Sequence, residues 1–223
     1  YIMTFSLNST PRSLVKYNDQ SLSAITEVGS TVAGGNMVFI KELTASSSAT
    51  LSFVNGASDV VLDSTYPIYV FKFINMHPAT DVAEFQFNMS VDSGSNYNVT
   101  KTTTLWKARL REDNAIQELG YESGSDLAQS TNFQSFTYAG IRNDNDASLN
   151  GTLHIFSPSS TTFVKHFISE CNYMSKSGPT SVTYNSFIAG YGNTTSAVDA
   201  VQFKMSSGNT DAGTIKLYGL KDS

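Results

Sequence analysis

Charge is scarce in this chain. Asp, Glu, Lys and Arg make up 15% of its residues, against roughly 25% in an average globular protein. Ser, Thr and Asn fill the gap, and their hydroxyl and amide groups can be buried against a partner without the desolvation cost of an ion. Such a surface suits contact with protein or sugar, and it is equally the surface of any secreted or particle-borne β-protein. Cysteine is scarcer still. With Cys171 alone, no intramolecular disulfide can form and no cysteine cluster exists for zinc or a redox pair, so stability must come from the core. Cys171 lies in FISECNYM beside apolar residues, which predicts a buried, inert thiol. His166, five residues back, falls on the opposite face of a strand, against a Cys/His pairing.

Long apolar runs are missing too. None approaches the ~18–20 residues of a membrane span, and YIMTFSLNSTPRSL lacks a charged region followed by an apolar core. The expectation is a soluble chain without an export signal, with Met3 rather than Tyr1 looking like an initiator. Excess positive charge is absent: the net charge is −5, which argues against nucleic acid as the main ligand, since such binders need a basic face to release counterions. The one basic run is KTTTLWKARLR, with Lys101, Lys107, Arg109 and Arg111. In strand geometry the last three share one face, read here as an outward charged face.

What is present is a period of two. In AEFQFNMSV, Ala83, Phe85, Phe87, Met89 and Val91 alternate with Glu84, Gln86, Asn88 and Ser90, the pattern of a half-buried strand. Burying each large apolar side chain contributes on the order of 1.5–3 kcal/mol, and a one-residue slip would put Glu84 and Gln86 into the core. The same logic marks strands near 38–43, 49–54, 69–74, 104–111, 133–138, 151–156, 162–168, 181–189, 200–205 and 214–220. Turn-forming DSGSN (92–96), the 143–150 segment and SSGN (206–209) separate some of them. About ten strands without an intervening amphipathic helix predict an all-β fold, an antiparallel two-sheet β-sandwich of jelly-roll type. Residues 110–119 are a weak helical candidate. Residues 1–36, with Pro11 and a small-residue stretch over 29–35, read as an extended N-terminal arm or leader packing on the sandwich of residues 37–223 or on a neighbour, with a flexible tail as the alternative.

Constellations that would carry chemistry fall short one by one. His77, His154 and His166 lack metal-site spacing, although strand pairing could bring the last two together. Glu84 stands alone on its strand, and Glu112, Glu118 and Glu122 fall in an expected loop, not flanking a sugar as glycosidase carboxylates do. Asp144 and Asp146 in RNDNDAS match only part of a calcium loop. There is no G-x-S-x-G elbow, and Gly34-Gly35 and Gly190-Tyr191-Gly192 precede no helix that could bind phosphate. The sequons at Asn8, Asn88, Asn98, Asn150 and Asn193 would matter only in a eukaryotic secretory setting. No catalytic residue, metal or cofactor is therefore expected. Tyr97, Tyr121, Tyr173 and Tyr191 lie near expected loops or strand ends, where rings stack on sugar, anchor an interface or pack at the core edge.

Several phrases resemble a β-sandwich family of tailed bacteriophages, especially marine ones: DSTYPIYVFKFINMHPATDVAEFQFNMSVDSGSNYNVTKTTT (63–104), LAQSTNFQ (127–134), LHIFSPSSTTFVKHF (153–167), AGYGNTTSAVDAVQFKMSSGN (189–209) and AGTIKLYGLKDS (212–223). The similarity covers roughly residues 36–223 and brings no catalytic residues. The resemblance implies a virion structural protein on the particle exterior, such as a head decoration, appendage or tail fibre component, packing against copies of itself and other virion proteins. Two further readings follow from the residues: a glycan-binding module at a fibre tip, and a concanavalin-like glycoside hydrolase with paired carboxylates in a groove.

Overall fold

A computed structural model describes residues 36–221. They form two antiparallel sheets and, among the described residues, no helix. The strands are β1 (Met37–Thr44), β2 (Leu51–Val54), β3 (Ile68–Pro78), β4 (Phe85–Ser90), β5 (Lys101–Arg111), β6 (Gln117–Tyr121), β7 (Gln134–Ser135), β8 (Leu149–Phe156), β9 (Lys165–Ser177), β10 (Thr180–Gly192), β11 (Ala200–Met205) and β12 (Thr210–Leu220). The large sheet runs β1-β12-β3-β8-β9-β10-β5-β6 and the small one β2-β11-β4-β7. The chain changes sheet at most of its connections, and the two inner faces enclose one core. The expected sandwich is thus the fold observed. The arm assigned to residues 1–36 lies outside the described residues, save for its last position.

Alternation carries the core as the sequence predicts from Ala83 to Met89, but Val91, expected on the buried face, lies past the end of β4 at 38% exposure, and Asn88 and Ser90, expected on the outer face, are buried. Phe85, Phe87 and Met89 of β4 face Phe53 of β2 and Val201, Phe203 and Met205 of β11 within the small sheet, and Tyr69, Phe71, Phe73, Leu153, Phe167 and Ile215 across it, all but fully buried. Phe203 is the hub. Its ring packs against those of Phe53, Phe71, Phe73, Phe85, Phe87 and Phe136 at centroid separations of 5.2–6.5 Å. The expected turns hold as well: Ser93 and Gly94 take φ of 58° and 79°, and Gly208 takes 65°.

The departures have local causes. The strand expected over 133–138 shrinks to Gln134–Ser135, because Ser135 Oγ accepts the Thr137 N–H and Tyr173 Oη accepts those of Tyr138 and Ala139, drawing this backbone off the ladder. The strand expected over 162–168 begins only at Lys165 and runs on to Ser177, hairpinned to β10 through Gly178. Residues 110–119, the helical candidate, instead leave β5 through a turn at Asn114, with φ of 62°, and enter β6. At the opposite edge of the large sheet, Phe39 of β1 packs edge-on to Tyr218 of β12 at 5.7 Å.

Candidate functional site

The basic run on β5 is turned the other way from the expected outward charged face. Lys101 and Lys107 point inward at 0% and 1% exposure, and Arg109 and Arg111 share their parity. Lys107 bonds Glu118 at 3.2 Å, forms an ion pair with Glu122, and lies 3.8 Å above the Tyr138 ring. Arg109 pairs with Glu118 and donates to Tyr184 Oη at 3.3 Å. The loop expected to hold Glu118 is in fact β6, so that strand closes over the lysine. The Lys107 ammonium and then burial-opposed contacts with Arg109 leave the Glu118 carboxyl below its ordinary range.

Because the cations face in, the opposite parity of β5 faces out. There Trp106 stacks flat on Phe187 of β10, 4.0 Å between centroids with a 10° interplanar angle. Strand register extends this into rows across four strands. One row is Glu170, Phe187, Trp106 and Tyr121, and the next is Asn172, Asn185, Ala108 and Leu119. Trp106 is 41% exposed, Leu119 73%, Tyr121 60% and Ile168 54%. Polar groups within the patch are already paired: Asn185 donates to Glu170 at 3.1 Å, and Asn172 to Thr183 Oγ1 at 3.1 Å and the Tyr184 carbonyl at 2.9 Å. Beside it a shallow apolar depression of about 540 Å³ is lined by Thr102, Thr104, Phe156, His166, Ile168 and Tyr191. The outward side of the small sheet is different in kind, carrying Ser52, Gln202, Gln86 and Lys204, with Gln202 donating to Ser52 at 3.0 Å.

The four tyrosines singled out from the sequence do not form one group. Tyr121 and Tyr191 lie on the outer face just described, Tyr121 donating to Asp126 and Tyr191 lying 5.9 Å from the His166 ring. Tyr97 is half-buried in the β4–β5 connection. Tyr173 is misplaced by the loop reading: it is mid-strand in β9, 1% exposed and stacked on Tyr184 at 5.2 Å, out of reach of any sugar. Trp106 and Phe187 were missed. Their signal was parity, since Trp106 and Leu110 occupy the face opposite Lys107, Arg109 and Arg111.

The remaining candidates also find places. His154 pairs with Ile168, so His166 lies one step further along the same face and not directly opposite. His77 Nε2 lies 3.1 Å from the Asp144 carbonyl. Asp144 is held by Lys176 at 2.8 Å, which lowers its pKa. Glu84 accepts from Gln86 at 3.2 Å, and Glu112 and Asp146 are exposed. Among the described residues, no group of three His, Cys, Asp or Glu side chains could share a metal ion. Cys171 is fully buried, and burial pushes its thiol up to about 12. Only the thiolate attacks, so the folded protein is expected to resist iodoacetamide at pH 8 and react fully in guanidinium; rapid native labelling would contradict this burial.

Comparison with protein-family models, with curated proteins and with solved structures returns no match.

Proposed function

We propose that the chain is a non-catalytic structural component of a bacteriophage particle, a head decoration, appendage or fibre protein on the exterior, working by packing against copies of itself and other virion proteins. The observation that carries this reading is the outer face of β9, β10, β5 and β6. It sets Trp106, Leu110, Leu119, Tyr121 and Ile168 in solvent on a regular sheet, and contiguous apolar surface of that kind marks an interaction site. β6 also ends the sheet with unpaired backbone groups and no proline or lysine, an edge that natural sheets usually guard. The family resemblance of residues 36–223 supplies the virion setting.

Light scattering on the purified chain tests the packing step. The wild type is expected to form oligomers that Trp106→Ser with Leu119→Ser reduces to monomer, the fold surviving a modest loss of stability as the Trp106–Phe187 stack goes. A wild type that stays monomeric at high micromolar concentration, and is not found in purified particles, would sink the reading.

One observation favours a second reading, glycan binding: the flat Trp106–Phe187 stack has Tyr121 beside it and the Glu170–Asn185 pair alongside, a ring platform with polar groups at its rim. Glycan-array binding lost on Trp106→Ala, with the wild type monomeric, would select it. A hydrolase is not supported by the carboxylate placement. Glu118 and Glu122 both engage Lys107, and Asp126, in the polar cleft with Glu84, is tied to the Leu105 N–H at 2.8 Å and to Tyr121.

A further inference from the structure

Lys101 is a buried amine whose hydrogen bonds all go to neutral oxygens. From the start of β5 its side chain reaches the amide of Asn88 on β4, where Nζ donates to Asn88 Oδ1 at 2.5 Å and to the Val99 carbonyl at 2.9 Å. An ammonium kept from water ordinarily has a carboxylate beside it. Asn88 is equally buried, and all its polar side-chain atoms are engaged. Oδ1 also accepts the Met89 N–H at 2.8 Å, while Nδ2 donates to the carbonyls of Tyr97 at 2.7 Å and Thr131 at 2.9 Å. These partners fix the amide's orientation, because carbonyls can face only its NH2 group and N–H donors only its oxygen.

The geometry points to an intramolecular isopeptide bond between Lys101 Nζ and Asn88 Cγ, formed with release of ammonia. Nζ stands 2.5 Å from Oδ1, one bond away from Cγ; it meets the oxygen with an N–H, so attack begins with the amine leaving the oxygen and moving above the amide plane to bring its lone pair to Cγ. In the step itself the Nζ lone pair adds to Cγ, and the carbonyl π pair moves onto Oδ1, where the Met89 N–H stabilises the developing charge. Collapse restores C=O and breaks the Cγ–Nδ2 bond. The proton given up by Nζ goes to Nδ2, which leaves as ammonia past the Tyr97 and Thr131 carbonyls. One C–N bond forms and one breaks, with no change of oxidation state and no external reagent.

Attack requires the neutral amine, and burial pulls the Lys101 pKa down to about 7, so the nucleophile is well populated at neutral pH. Amide aminolysis between separate molecules is very slow. Effective molarities of about 10⁵–10⁸ M for positioned groups are what bring it within reach. Lys165 makes the contrast. It is as deeply buried, yet its Nζ donates to the backbone carbonyls of Ser160 at 2.6 Å, Phe163 at 2.7 Å and Thr194 at 3.3 Å, with no side-chain amide among them. It ties two loops together and has no comparable leaving group.

Mass spectrometry of the denatured full chain decides the matter. The wild type is expected one ammonia lighter than its sequence, about 17 Da, and Lys101→Met is expected at its full sequence mass. Peptide mapping needs no variant. Asn88 and Lys101 fall in one tryptic stretch, so the bond predicts a peptide spanning 73–107, uncut after Lys101 and lighter by one ammonia. A wild type at full mass after prolonged incubation at neutral and mildly alkaline pH would overturn the proposal. So would an ammonia-light peptide that trypsin still cuts after Lys101, since that is a cyclised asparagine and not a cross-link.

Discussion

Phe203→Ala is expected to cost about 3–5 kcal/mol of folding stability. Six other phenylalanine rings contact this one, drawn from both sheets and from the segment around Phe136. Removing it opens a void that rings anchored on different strands cannot jointly fill. Against a total of about 5–15 kcal/mol for an ordinary domain, the loss approaches the threshold of folding. Urea denaturation checks it as a lower midpoint with an unchanged slope, and Phe203→Leu, which keeps most of the volume, should lose distinctly less. A shift under about 1 kcal/mol for the alanine variant would mean that the rings repack, contrary to their fixed positions on the ladders.

Lys107→Ala is expected to be the next most damaging, at about 3 kcal/mol. Breaking a buried ion pair from one side typically costs about 3–5 kcal/mol, and the lower end applies because Glu118 and Glu122 retain some water. The change strands the Glu122 carboxylate, leaves Glu118 with Arg109 alone, and removes the cation over Tyr138. Its pH signature has a definite sign. Glu118 titrates lower folded than unfolded, so its contribution is present above its ordinary value near 4.5 and is lost as pH falls through the lower folded value. The stability gap between wild type and variant should therefore be full at neutral pH and narrow below about pH 4. A gap that does not change on acidification would mean that Lys107 acts through packing alone.

The sequence was most legible where one face meets water and the other meets the core. On β4, alternation from Ala83 to Met89 gave strand, register and buried side together, since a single shift would bury Glu84; it failed at Val91, because the strand stops at Ser90. On β5 the same periodicity gave the strand and the wrong sides. Residue type argued for the basic side chains outward, whereas partners on β6, just beyond it and in the 133–140 segment supply the inner face with Glu118, Glu122 and Tyr138. No local pattern announces those partners. Tyr173 was misjudged for a related reason: FISECNYM looks like the end of a strand, but pairing with β10 carries the ladder on to Ser177. Turn chemistry read well at Ser93-Gly94 and Gly208 and failed at Gln134–Ser135, where side-chain and tyrosine hydroxyls displace sheet partners. The contact between Asn88 and Lys101 was hidden in plain text. The two residues stand only 13 apart, yet their approach depends on β4 and β5 belonging to different sheets.

The inequality of the two sheets bears on direction. Neighbouring strands ordinarily rotate by roughly 20–25°, and the large sheet has seven such steps between β1 and β6. Its surface normal therefore turns through roughly 140–175° from one margin to the other. The Phe39–Tyr218 contact near β1 and the Trp106–Phe187 stack near β6 belong to one sheet and the same side of it, yet they look toward different quarters of space. A flat partner can meet one of them but not both. A molecule contacted at each margin would become a joint between two bodies, its twist setting the angle at which they meet.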